Sequence, residues 1–155
     1  MAAANIQIPL HVFRFRVNVQ SDSLNSGLQG SPMEMSFAEC TGLEATMEPK
    51  SIKEGGRNYG TAQRAGAVTF ATVVLKRGVS EDRALWQIFN ATTSGQFAPR
   101  LEVTVSLLDG NMQQIMGWRL THAMPVKFKF ADLNGKATEV GIEELHFVHE
   151  GLTAL

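Results

Sequence analysis

The chain has 155 residues, 14 basic and 15 acidic side chains, a formal net charge of −1 and 44% hydrophobic residues. That length suits one domain with a buried core, and the balance of charge argues against a nucleic-acid binder, which carries a marked basic excess. The lone cysteine, Cys40, excludes an intrachain disulfide, and no apolar run reaches the roughly 20 residues needed to cross a bilayer as a helix.

The opening Met1-Ala-Ala-Ala-Asn-Ile-Gln-Ile-Pro9 lacks a basic region and an apolar core, so no signal peptide is read there. The expectation is synthesis and folding in the cytoplasm. Phe13, Phe15, Val17 and Val19 alternate with Arg14, Arg16 and Asn18, which predicts a half-buried antiparallel strand. Residues 20–32 are turn chemistry and read as a solvated loop. Met33, Met35 and Phe37 alternate with Glu34, Ser36 and Ala38 to give a second strand, broken at Thr41-Gly42. A third runs from Leu43 to Ile52, where Pro49 implies an edge or a bulge.

Residues 52–66 then carry Gly55, Gly56, Gly60 and Gly66 with Arg57, Arg64 and Tyr59. So long a glycine-rich loop is unusual between strands, where hairpin loops have about two to five residues. Val68 to Leu75 is rich in β-branched residues and reads as a strand ending at Lys76-Arg77-Gly78. One helix follows, with Ser80 as N-cap and Glu81 and Asp82 at the positive end of its dipole. Leu85, Ile88 and Phe89 form its buried stripe, and Asn90 with the Thr92-Thr-Ser-Gly95 run ends it.

The remainder is again β text. Leu101, Val103, Val105 and Leu107 alternate, Asp109-Gly110 marks a hairpin turn, and Met112 to Leu120 forms the return strand. Pro125 marks a break, Lys127 to Phe130 alternates, Asn134-Gly135 offers a second tight turn, and Thr138 to Val148 closes the chain as a strand. Many short strands, one helix and no βαβ rhythm predict a mainly β protein. The expected architecture is an antiparallel sandwich or barrel with one covering helix, with residues 1–155 as a single domain.

Candidate chemistry is sparse. His146 and His149 are three apart on strand text, point to opposite faces, and cannot chelate one ion without a bulge. Glu143 and Glu144 face apart for the same reason and form no acid/base dyad. Gly55-Gly56 lacks the phosphate-loop pattern and precedes no helix. Cys40 reads as a small apolar strand residue rather than a nucleophile. No enzyme, cofactor or metal is expected.

Several phrases occur in a telling order: Phe13-Arg-Phe-Arg-Val17, Phe37-Ala-Glu-Cys-Thr-Gly-Leu43, Ile52-Lys-Glu-Gly-Gly56, Val73-Val-Leu-Lys-Arg-Gly78, Leu85-Trp86, Trp118 with Ala123-Met-Pro125, and Val140-Gly-Ile-Glu-Glu-Leu-His146 with Glu150-Gly-Leu152. Together they resemble the tube proteins of contractile tails, a family that includes phage tail tubes and the inner tubes of extracellular contractile injection systems. The resemblance implies a tail-tube fold in which six copies close into a ring. It also implies rings stacked into a hollow tube inside a sheath, baseplate, spike and capping proteins as partners, and protein cargo in the lumen. Assembly into a particle released outside the cell follows, with no cofactor, no catalysis and no nucleic acid required. A baseplate-proximal tube initiator and a ring protein like that of type VI secretion are the alternatives within this class. A monomeric ligand-binding β-barrel is the alternative outside it.

An alternating strand can fill a core with one face and line an aqueous channel with the other. Edge-to-edge addition of strands between copies would close the barrel and leave no exposed sheet edge. Stacking needs a further contact, and Lys53, Glu54, Arg57, Tyr59 and Arg64 of the glycine loop are the expected interface residues.

Overall fold

The computed structural model describes residues 9–21, 33–94, 100–136 and 138–155. The strands are β1 (Phe15–Ser21), β2 (Met33–Met35), β3 (Glu39–Thr41), β4 (Ala45–Met47), β5 (Lys50–Ile52), β6 (Ala62–Arg64), β7 (Val68–Phe70) and β8 (Val73–Gly78), followed after helix α1 (Ala84–Thr93) by β9 (Leu101–Leu108), β10 (Gln114–Lys129), β11 (Ile142–Val148) and β12 (Gly151–Ala154). Most of them form one sheet in the order β2-β1-β9-β10-β11-β8-β3, with β12 also on β10. Every pairing is antiparallel. The mainly β, single-helix fold expected from the sequence is the one observed.

β10 is the spine of this sheet. Gln114 to Ala123 pairs with β9, Trp118 to Thr121 with β12, and Met124 to Lys129 with β11. His122 sits at φ 51° where the register with β9 shifts between Leu120 and Ala123. Across the ladder the chain leaves β11 at Val148 and rejoins β10 through β12 at Gly151. The register shift in β10 and the gap between β11 and β12 therefore fall at one level of the sheet.

The two halves share one core. Val17, Val19, Leu101, Val103 and Leu120 come from the first half, and Val73, Leu75, Leu145 and Phe147 from the second. Leu85 and Ile88 of α1 close it. Period two explains the choice: in β8 and β11 every second residue is buried while its neighbours are not.

Several boundaries differ from the sequence reading. The first strand starts at Phe15, and Phe13 lies before it, 70% exposed. The text around Met33–Cys40 makes two strands, β2 and β3, on opposite edges of the sheet. Pro125 does not end β10 but sits at a bulge between Pro125 and Lys127. β12 is an additional strand beyond Val148. The loop expected at 20–32 lies outside the described residues from 22 onward, as does Gly95 at the expected helix end.

The helix also starts later than expected. Its N-cap residue is Arg83, without a side-chain cap bond, and Ser80 lies outside it. Asp82 accepts from the Ala84 amide at 3.2 Å while both its oxygens take bonds from Arg77. Asp82, rather than Ser80, thus accepts from the first helical amide, and 80–83 form the connection from β8. Asn90 is helical, and its carbonyl accepts from the Ser94 amide at 3.0 Å.

Candidate functional site: a hairpin arm

Residues 45–70 form a separate hairpin. β4 pairs with β7, β5 pairs with β6, and neither pair joins the main sheet. The expected strand Leu43–Ile52 is split at Glu48-Pro49, as Pro49 requires, and the expected strand Val68–Leu75 is split into β7 on the arm and β8 in the sheet. The glycine loop is thus shorter than its sequence suggests, because Ala62–Arg64 is already ladder. Its tip is residues 53–61, turned by Gly56 and Gly60 at φ +82° and +70°.

Lys53, Glu54, Arg57 and Tyr59 are brought together at that tip, whereas Arg64 lies on the stem in β6. Glu54 and Arg57 pair with each other at 3.4 Å, the Arg57 amide donates to the Glu54 carbonyl, and the Arg57 Nε donates to the Tyr59 carbonyl at 3.3 Å. The exposed Glu54–Arg57 pair adds little stability but shapes the turn. Tyr59 is 92% exposed.

Sequence reasoning missed Lys50, which faces Arg64 directly across the ladder. Like charges opposite one another destabilise a hairpin, so the arm keeps this pair at a cost to itself. Among the described residues neither cation has an ion-pair partner. Met47 faces Val68 across β4–β7, and Ile52 faces Ala62 across β5–β6. Met47, Ile52 and Val68 are all exposed. They stand on a two-stranded ribbon, which is marginally stable alone.

Elsewhere the polar groups are structural. Glu143 is buried and accepts from Arg77 at 2.6 Å, while Glu144 on the other face accepts from His146 at 3.1 Å. That hydrogen bond holds the Glu144 carboxyl below the usual range. Burial pushes the Cys40 thiol up to about 11, which keeps it protonated and unreactive at neutral pH. No helix is long and apolar enough to cross a membrane among the described residues.

The described residues thus form a mainly β, antiparallel fold with one helix, a buried ion pair and a projecting two-stranded arm. Residues 11–153 match the model of the family described as T4-like virus tail tube protein gp19, and the chain belongs to that family. It is similar to a chain in the cryo-EM structure of the anti-feeding prophage baseplate, six-fold symmetrised, at 26% identity and a TM-score of 0.84, covering 97% of each chain. It also shares its fold with a chain of the PVC extracellular contractile injection system, from the sheath–tube complex in the extended state, at 16% identity and TM-score 0.78 over 97% of this chain and 93% of that one. A third likeness of fold is to a chain of the anti-feeding prophage tube-terminating cap, at 17% identity and TM-score 0.78 over 100% and 99% of the two chains. No curated protein sequence matches the chain. The protein has the structural role of a tail tube protein.

Proposed function

We propose that six copies of this chain close into a ring, that rings stack into a hollow tube within a sheath, and that the arm makes the contact from one ring to the next. The observation that carries the stacking contact is the arm itself: among the described residues Lys50, Lys53 and Arg64 have no ion-pair partner, and Tyr59, Met47, Ile52 and Val68 are exposed. Six-fold symmetry is supported by the symmetry stated for the baseplate structure, and sheath and cap partners by the sheath–tube and cap structures. The role is mechanical, without catalysis or cofactor, in a particle released outside the cell and able to carry protein cargo. Replacing Arg57 and Arg64 together by glutamate is expected to leave rings but block tubes. Normal tubes by electron microscopy would overturn the assignment of the arm.

A second reading within the same particle, a tube starter at the baseplate, is favoured by one observation: the baseplate chain is more similar in sequence and in fold than the chain from the sheath–tube complex. Copy number in purified particles separates the two. A starter is present in one or a few rings, whereas the main subunit outnumbers every baseplate component.

A further inference from the structure

The loop of residues 130–141 joins β10 to β11 and lies outside both the sheet and the arm. It stands at the end of the sheet where Ile142 faces Gly78. The arm leaves the other end, where Phe147 faces Val73 and Thr41 faces Val74. Within the loop Asn134, Gly135 and Lys136 are exposed. The Lys136 amide donates to the side-chain oxygen of Asn134, Oδ1, at 3.0 Å. That N–H also fixes which end of the carboxamide is oxygen, because the amino end has no acceptor to offer it.

Asn134 is the only asparagine in the sequence that precedes a glycine. Among the described residues no backbone hydrogen bond engages the Gly135 amide, and a Cβ on Gly135 would meet nothing within 4 Å. The Gly135 nitrogen is thus unengaged and openly surrounded. The chain itself holds it beside Cγ of Asn134, so attack closes a five-membered ring. Negative charge then develops on Oδ1, where the Lys136 amide already stands as a donor. Other asparagines lack this arrangement. Asn18 is in the β1 ladder and Asn90 inside α1, while Asn58 and Asn111 precede Tyr59 and Met112, whose side chains crowd the attacking amide. Asp109 precedes Gly110, and its Oδ1 accepts from the Asn111 and Gln113 amides at 2.8 and 2.9 Å. A carboxylate, however, is a poor electrophile and has no ammonia to release.

We propose that Asn134–Gly135 is a site of spontaneous covalent modification, in which the Gly135 nitrogen attacks Cγ of Asn134 and the side-chain amide leaves as ammonia. The N–Cγ bond forms and the Cγ–Nδ2 bond breaks. The Gly135 amide proton passes to solvent, and the departing nitrogen takes one from solvent. Water then opens the cyclic imide. Opening at Cγ leaves aspartate. Opening at the main-chain carbonyl carbon leaves isoaspartate, with the backbone routed through the former side chain and longer by one atom. Nothing is oxidised or reduced. Either product makes the chain one unit more negative than its formal −1. Asp132 and Glu139 already outnumber Lys136 in this loop, so the new carboxylate falls among like charges at the end of the sheet remote from the arm. The chemistry needs one chain only and does not depend on ring closure.

The test holds the purified whole chain at neutral and at mildly alkaline pH and samples it over time. Isoelectric focusing is expected to show a growing band one charge more acidic, and intact mass a gain of about 1 Da per event. Peptide mapping is expected to place both aspartate and isoaspartate at position 134, faster at the higher pH, with Asp109 unchanged. Gly135→Ala, which the open space about Gly135 accommodates, is expected to slow the reaction several-fold in a chain with the same circular dichroism. Asn134 intact in the folded protein while the urea-unfolded chain converts would overturn the proposal. So would equal rates at Asn58 or Asn111, aspartate without isoaspartate, or an unslowed Gly135→Ala chain.

Discussion

The Nε of Arg77 lies 2.6 Å from Oε1 of Glu143, and both side chains are buried. The same guanidinium binds both oxygens of Asp82 just ahead of α1. One arginine thus ties β8 to β11 and the helix to the sheet. Removing one member strands the other charge in the interior, which costs about 3–5 kcal/mol. Glu143→Ala is expected to lower the urea midpoint sharply. The double change Arg77→Met with Glu143→Leu is expected to recover most of that loss, measured by the same unfolding curves.

Asp82 contributes stability that acid removes. Its hydrogen bond from Arg77, followed by that from the Ala84 amide, holds its carboxyl below its ordinary value of 3.8. A depressed carboxylate contributes stability above its unfolded pKa, and that contribution is lost as pH falls through the lower folded value. Asp82→Asn is expected to be less stable at neutral pH and to show a flatter loss on acidification below the ordinary value. Thermal melts across the acid range check this.

His149 acts in a different window. Its ring lies 5.0 Å from that of Phe70, its Nδ1 meets the Gly151 carbonyl at 2.9 Å, and its Nε2 is buried with no hydrogen-bond partner among the described residues. Desolvation lowers its pKa below the ordinary 6.5, although the Gly151 carbonyl opposes the shift. The folded state therefore prefers neutral imidazole, and stability declines as pH falls below that ordinary value towards the folded one. His149→Gln is expected to remove this decline while leaving the acid step of Asp82 in place, which melts at mildly acidic pH would show.

Two glycines separate the body from the arm. A Cβ on Gly42, which has φ +89°, would lie 2.1 Å from the Thr72 carbonyl oxygen, beside the start of β8. Gly42→Ala is expected to destabilise the whole domain by at least ~1 kcal/mol, because strained backbone of this kind costs of order 1–3 kcal/mol even before the clash. A Cβ on Gly66 would lie 1.9 Å from the Glu48 carbonyl oxygen, within the arm. Gly66→Ala is expected to leave the body's melting transition nearly unchanged and to impair tube formation. Calorimetry together with electron microscopy distinguishes the two.

The body was readable because period-two burial is local. Leu101 to Ser106 and Leu145 to Phe147 alternate in sequence as they do in burial, whereas at the end of β9 the half-buried Leu107 gives way to a buried Leu108. The separation of arm from sheet was not readable, because Val68–Phe70 and Val73–Gly78 have the same strand text and differ only in distant partners, Ala45–Met47 for one and Ile142–Phe147 for the other. In sequence Arg77 reads only as part of a strand end, and only the β8–β11 register brings Glu143 to it. Of the arm's residues, Lys53, Glu54, Arg57 and Tyr59 could be placed together from the glycine-rich text around them. Lys50 could not, since its significance lies in facing Arg64.

β10 runs through both halves of the sheet and is bonded along its length on at least one side. A push delivered at one end of the subunit along that strand travels to the other through covalent bonds, with the ladders on β9, β11 and β12 loaded in shear. Bonds loaded that way share the force together instead of parting one by one. A rod assembled from such units would carry thrust through its wall rather than through the seams between its layers, provided the strand lies near the direction of thrust.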